Sequence, residues 1–159
     1  ESFPSAMPAE EVAEYLSGLK AEAYPDGLDD KDILLTADTV VIADGEVLGK
    51  PKDRAEAVAM LKQLSGREHQ VVTGVSLSNA LCRRSFSALS SVKFRVLTVE
   101  EIEYYVDNYR PFDKAGSYGI QEWIGYVGIE GIEGSFYNVM GLPVQRVYCE
   151  LKEFVGLGE

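Results

Sequence analysis

Apolar positions along this chain of 159 residues recur with two different periods, and the alternation between them lays out the order of elements. The stretch EEVAEYLSGLKAEAY (10–24) carries Val12, Leu16, Leu19 and Ala23 at helical spacing, with acidic residues in its first turn where they suit the helix dipole. Lys20 follows Leu16 by one turn, so it either snorkels to water or points at something anionic. Next, ILLTADTVVIADGEVLGK (33–50) reads as a long strand, a turn and a second strand, stopped by Pro51. The helical period returns in DRAEAVAMLKQLSG (53–66), with Asp53 and Glu56 at capping-box spacing and Gly66 as the C-cap. Two strands follow, HQVVTGVSLSNA (69–80) and CRRSFSALSSVKFRVL (82–97), and then a helix, TVEEIEYYVDNY (98–109), with Thr98 and Glu101 repeating the capping-box spacing. Residues 111–143 are too apolar for disorder and too rich in glycine for one helix. They predict loop, strand, loop, strand and a glycine turn, before a last helix from Pro143 to Phe154. The expected fold class is therefore α/β, a mixed and partly antiparallel sheet flanked by helices, in one domain.

Within the apolar strand stands one carboxylate, Asp38. An ionised carboxylate in a β-branched run costs several kcal/mol to desolvate unless a cation meets it there. Asp38 is the first candidate for chemistry; the alternative is that it only accepts backbone hydrogen bonds at a bulge or strand end. A three-residue loop over Ala43, Asp44 and Gly45 would set Asp38 opposite Lys50, whereas a two-residue Asp-Gly turn would set Thr39 opposite Lys50, with Asp38 on the other face. Either register gathers Asp38, Thr39 and Lys50 at one end of one hairpin.

Composition narrows the partners. A formal net charge of -11 argues against a nucleic-acid polymer, which needs clustered Lys and Arg, but leaves room for a single nucleotide held by local lysines and a divalent cation. No run is apolar enough to span a bilayer and no signal-like segment opens the chain, so a cytoplasmic protein without membrane attachment is expected. Cys82 and Cys149 are far apart and read as ordinary reduced thiols. His69, the single histidine, lacks a nucleophile pattern around it and reads as structural or surface. Arg83 and Arg84 read as a solvated pair at a strand junction.

Several stretches together resemble one family. ADTVV (37–41), LGKP (48–51), LSG (64–66), TGV (73–75), DKAGSYGIQ (113–121) and GSFYNVMGLP (134–143) are similar, in the same order and over nearly the whole chain, to the Maf-like nucleoside triphosphate pyrophosphatases. The resemblance implies an α/β fold with two lobes around a nucleotide cleft. It also implies hydrolysis of a nucleoside triphosphate between its α and β phosphates, with Mg²⁺ or Mn²⁺. By the same resemblance Asp38 is the general base or metal-linked activator of water, Lys50 and Lys20 contact phosphate, and Glu1 joins Asp38 at the metal. Thr39 after the central Asp, with Gln121 in GIQ, matches the branch associated with dTTP and UTP. A carboxamide offers one donor and one acceptor, as thymine and uracil require, whereas a glutamate there could only accept. Family members are often homodimers, and the aromatic segment from Trp123 to Tyr137 could serve a dimer surface or the core equally well.

The family's Ser-rich, Arg-Arg phosphate loop does not precede Glu1, so the chain is expected to lack part of the phosphate site and to be weakly active. Two other functions stay open at this point: a nucleotide-binding regulator of septum formation without turnover, and an inosine or xanthosine triphosphate pyrophosphatase of related architecture.

Overall fold

The computed structural model describes residues 2–156. Helix α1 (Ala9–Glu22) precedes strands β1 (Leu34–Ala43) and β2 (Glu46–Leu48), helix α2 (Arg54–Leu64), and the strand pair β3 (Glu68–Ser78) and β4 (Arg83–Phe94). Helix α3 (Val99–Tyr109), a 3-10 turn (Ala115–Ser117), α4 (Trp123–Gly128), β5 (Ile129–Glu133), α5 (Phe136–Met140) and α6 (Val144–Gly156) complete the chain. The strands form one sheet in the order β2-β1-β3-β4-β5, and every pairing is antiparallel. The sheet is thus α/β with flanking helices, and the described residues contribute no parallel pair to it. The link through α2 crosses over β1, so β2 and β3 lie on its two sides and both run opposite to it. No helix among the described residues is long and apolar enough to cross a membrane.

Side chains alternate across each strand, so β1 and β3 serve two cores. Val40, Ile42 and Val72 face α1, where Val12, Ala13 and Leu16 complete a small apolar cluster. Val41, Ala43 and Val71 face α2 and α3, packed with Leu61, Leu64, Ile102 and Tyr105. Farther along that second face, Val75, Leu77 and Phe86 meet Val147 and Phe154 of α6. Helix α1 lies unusually close to the sheet. A Cβ built on Gly74 would stand 2.2 Å from the Glu14 backbone nitrogen, so only glycine admits the helix there. Ser17 Oγ then reaches Ser76 Oγ at 2.8 Å, and the Thr36 hydroxyl donates to Ser17 O at 2.8 Å.

The hairpin chooses between the two registers. Ala43 pairs with Glu46, and Asp44 and Gly45 have φ of 53° and 77°, the left-handed pair that a two-residue turn needs. Both helix starts marked by capping spacing form: Asp53 accepts from Glu56 N, and Thr98 and Glu101 cap each other reciprocally. On α1 the buried stripe is Val12, Ala13, Leu16, Ser17 and Gly18, while Leu19 is exposed; small residues rather than the larger leucine face a sheet this close. The segment 111–143 differs more. It holds one strand, not two, and the remainder is the 3-10 turn and two short helices. Ser135 caps α5 by accepting from Asn138 N. The Asn138 amide donates to Val71 O and Ala88 O at 3.2 and 3.0 Å. That helix is fixed by a polar plug between strands rather than by an apolar repeat, which is why periodicity missed it.

Candidate active site

Strand β2 is three residues long and covers only the Val41–Ala43 end of the ten-residue β1. Among the described residues, no strand pairs with the outer edge of β1 from Leu34 to Val40. Backbone groups at an open edge need other partners, and side chains supply them. Lys20 Nζ donates to Ala37 O at 3.1 Å, and Asp38 Oδ1 accepts the Thr39 N–H at 2.9 Å. Lys20 Nζ also lies 3.4 Å from Asp38 Oδ2. The Asp38 side chain keeps only 14% of its exposure against 42% for Lys20, so the carboxylate is largely desolvated and its cation reaches in from solvent.

A cleft lies along this edge. Asp38 and Thr39 form one wall, with Lys50 just beyond the end of β2; across from them are Lys114, Tyr118, Gln121 and the Met140–Gly141 turn. The DKAGSYG loop is fastened to the hairpin by a hydrogen bond from Gly116 N to Gly49 O at 3.2 Å, which holds the two lysine-bearing segments together. Asp113 is drawn below the ordinary carboxylate range by its hydrogen bond with Lys114 (3.1 Å), with the charge of Lys50 adding to the effect. Asp38 and Thr39 are consecutive, so they present to opposite sides of the strand: Asp38 to the α1 side with Lys20, Thr39 to the side of Gly141. Thr39 Oγ1 meets Thr73 Oγ1 at 2.8 Å and donates to Gly141 O at 3.1 Å.

Behind the Tyr118 wall sits His69. Its Nε2 is 2.6 Å from the Tyr118 hydroxyl, its ring stacks on Phe94, and it is 1% exposed. Burial lowers its pKa to about 4 and raises that of Tyr118, so both stay neutral. The histidine is structural, a polar support under a cleft-lining ring.

Of the residues singled out by sequence, Asp38, Thr39, Lys50 and Gln121 all line this cleft, and Lys20 joins it through Asp38. Glu1 lies outside the described residues. Arg83 and Arg84 lie elsewhere, paired with Glu22 and with Glu150 and Glu153. Sequence reasoning passed over Lys114 and Tyr118 as individual residues, although both stand in the DKAGSYGIQ stretch, and likewise Met140 and Gly141, which stand in GSFYNVMGLP. Among the described residues no group of three His, Cys, Asp or Glu side chains is placed to hold a metal ion.

A family profile described as "Maf-like protein" matches residues 1–154. The chain belongs to the Maf family. Relatives named dTTP/UTP pyrophosphatase include one from Porphyromonas gingivalis, 58% identical over 156 residues, covering 97% of this chain and 78% of that protein. Another, from Bacteroides thetaiotaomicron, is 55% identical over 153 residues, covering 96% of this chain and 79% of its own length. A third, from Christiangramia forsetii, is 48% identical over 155 residues, covering 98% and 79%. Membership in the Maf family accords with a cleft built from ADTVV, GKP and DKAGSYGIQ, since these three stretches supply most of its lining.

Proposed function

We propose that this chain is a nucleoside triphosphate pyrophosphatase acting on dTTP and UTP, cleaving between the α and β phosphates and clearing such nucleotides from the cytoplasmic pool. The observation that carries this reading is the splitting of one strand edge into two chemistries. A desolvated carboxylate with a lysine lies on one side, and a hydroxyl facing a carboxamide-bearing wall lies on the other. The names of the relatives support the same substrates.

In this reading Lys50 and Lys20 take the phosphates, and catalysis consists mainly of positioning and charge neutralisation. Asp38 accepts a proton from the attacking water or helps hold a divalent cation. Mg²⁺ is commonly bound by one or two carboxylates together with substrate phosphates rather than by an all-protein cage. The donor set fits that habit: Asp38 is at the cleft, and no larger carboxylate cluster exists among the described residues. Asp38, joined by Glu1, would hold such a cation, Mg²⁺ or Mn²⁺, which would neutralise charge on the phosphate oxygens. Gln121 and Thr39 read the pyrimidine edge. Pairing of two copies belongs to the proposal too, with Tyr126 and Tyr137 (85% and 60% exposed) at the contact; sedimentation would give the mass.

The test is pyrophosphate release across the common triphosphates with Mg²⁺. dTTP and UTP should lead, and Asp38→Asn should lower kcat by about 10²-fold or more with an unchanged circular dichroism spectrum. Preference for ITP or XTP would select the purine enzyme, and tight nucleotide binding without turnover would select the regulator. Full rate in Asp38→Asn would remove Asp38 from the mechanism.

A further inference from the structure

Thr73 is completely buried one strand behind the cleft, outside the residues that take phosphate, cation or base. It is the cross-strand partner of Thr39, and the two hydroxyls meet at 2.8 Å. Around them are two further contacts: Thr39 Oγ1 to Gly141 O at 3.1 Å and Thr73 Oγ1 to Asn138 O at 3.4 Å. Two hydroxyls own two protons, and three contacts compete for them. The Thr39–Thr73 bond takes one proton, and the other goes to Gly141 O or to Asn138 O.

The surroundings decide which. Asn138 O already accepts the Gly141 N–H at 3.0 Å, and its contact with Thr73 is the longer of the two. The favoured order is therefore Thr73 donating to Thr39, and Thr39 donating to Gly141 O. In the reverse order the Thr39 proton goes to Thr73. In both, that proton is spent inside the protein, and Thr39 offers only a lone pair to anything in the cleft.

Asn138 holds the arrangement still. It is wholly buried, and its amide is engaged with Val71 O, Ala88 O and Ser90 Oγ at 3.2, 3.0 and 3.0 Å. The Asn138–Gly141 turn therefore sits at a fixed height above β3 and β4.

We infer that Thr73 is a positioning residue for base selection: it orients the Thr39 hydroxyl as an acceptor, which favours a pyrimidine with a ring N–H over one with a bare ring nitrogen. The inference rests on the reading of the cleft as a dTTP/UTP site. Thymine and uracil present that N–H, and cytosine presents a lone pair at the same ring position. Without the Thr73 hydroxyl, the donor that occupies one Thr39 lone pair and the alternative inward acceptor of its proton are both lost, Gly141 O is the one inward acceptor left of the two, and the Thr39 hydroxyl can rotate its proton toward the cytosine nitrogen.

The experiment compares kcat/KM for dTTP and dCTP in the parent protein, Thr73→Val and Thr73→Ser. Thr73→Val should lower the dTTP/dCTP ratio by about tenfold, the worth of one misdirected hydrogen bond, and Thr73→Ser should restore it to within about twofold of the parent. A uniform loss for both nucleotides, with the ratio kept, would overturn the inference and leave Thr73 as packing only; so would a Thr73→Ser protein as impaired in ratio as Thr73→Val. If Thr73→Val does not accumulate folded, Thr73→Ala is read by the same criteria. A parent protein with no preference for dTTP would overturn the substrate reading itself, a result distinct from a parent preference that Thr73→Val retains.

Discussion

His69 lies between Phe94 and Tyr118 with one ring nitrogen on the Tyr118 hydroxyl, and its Nδ1 meets no partner among the described residues. Protonation would bury a charge, so its pKa falls from an ordinary 6.5 to about 4. The sign of the consequence follows by linkage. Above pH 6.5 both folded and unfolded chains hold a neutral ring; as pH falls through 6.5 the unfolded chain takes up a proton that the folded one refuses until pH 4. Stability fully present at neutral pH is therefore lost across that window, by about 3 kcal/mol from this residue alone. His69→Gln, which keeps a polar partner for Tyr118, should flatten that part of the pH profile. Urea midpoints at pH 7.5 and 5 should lie closer together in the variant than in the parent; equal separation would show that other groups account for the loss. This state was not legible beforehand, because burial of a lone histidine depends on rings 25 and 49 positions away.

At the scale of elements, the approach of α1 to β3 governs where Lys20 stands. Gly74→Ala would drive a methyl group into the Glu14 backbone, so the helix must move, at a cost of about 3 kcal/mol. Denaturant midpoints should record that loss, and the rate should fall with it because Lys20 leaves the Asp38 edge. Gly27→Ala, where nothing lies within 4 Å, is the control and should be neutral. Elements with local signals were legible: the capped helices α2 and α3, the long strand around Asp38, and the Asp-Gly turn as one of two registers. The short helices α4 and α5 were not. Their six and five residues are too few to show a period, and α5 is pinned through Asn138 to strands far away in sequence.

For the molecule as a whole, the cleft joins segments distant in the chain: the β1–β2 hairpin, the DKAGSYG loop and the turn after α5. A ligand touching all three should stabilise the entire fold by mass action, about 2.7 kcal/mol at a hundredfold excess over Kd. Thermal melting with dTTP and Mg²⁺ should show a clear rise in Tm, and chelation with EDTA should remove most of it; an undiminished rise in EDTA would argue that the cation contributes nothing to binding. The motifs made the participants of this cleft legible, since Asp38, Thr39, Lys50 and Gln121 all reach it. What they could not convey was the short reach of β2, which among the described residues leaves the Leu34–Val40 edge of β1 without a strand, so that the alternating sides of Asp38 and Thr39 both come to border the cleft. That alternation has a consequence for how such a protein can change. Because Asp38 and Thr39, the residues proposed for hydrolysis and for base reading, differ by a single step along one strand, point substitutions should retune one without disturbing the other, whereas a one-residue insertion or deletion in β1 would exchange their sides and disrupt both together.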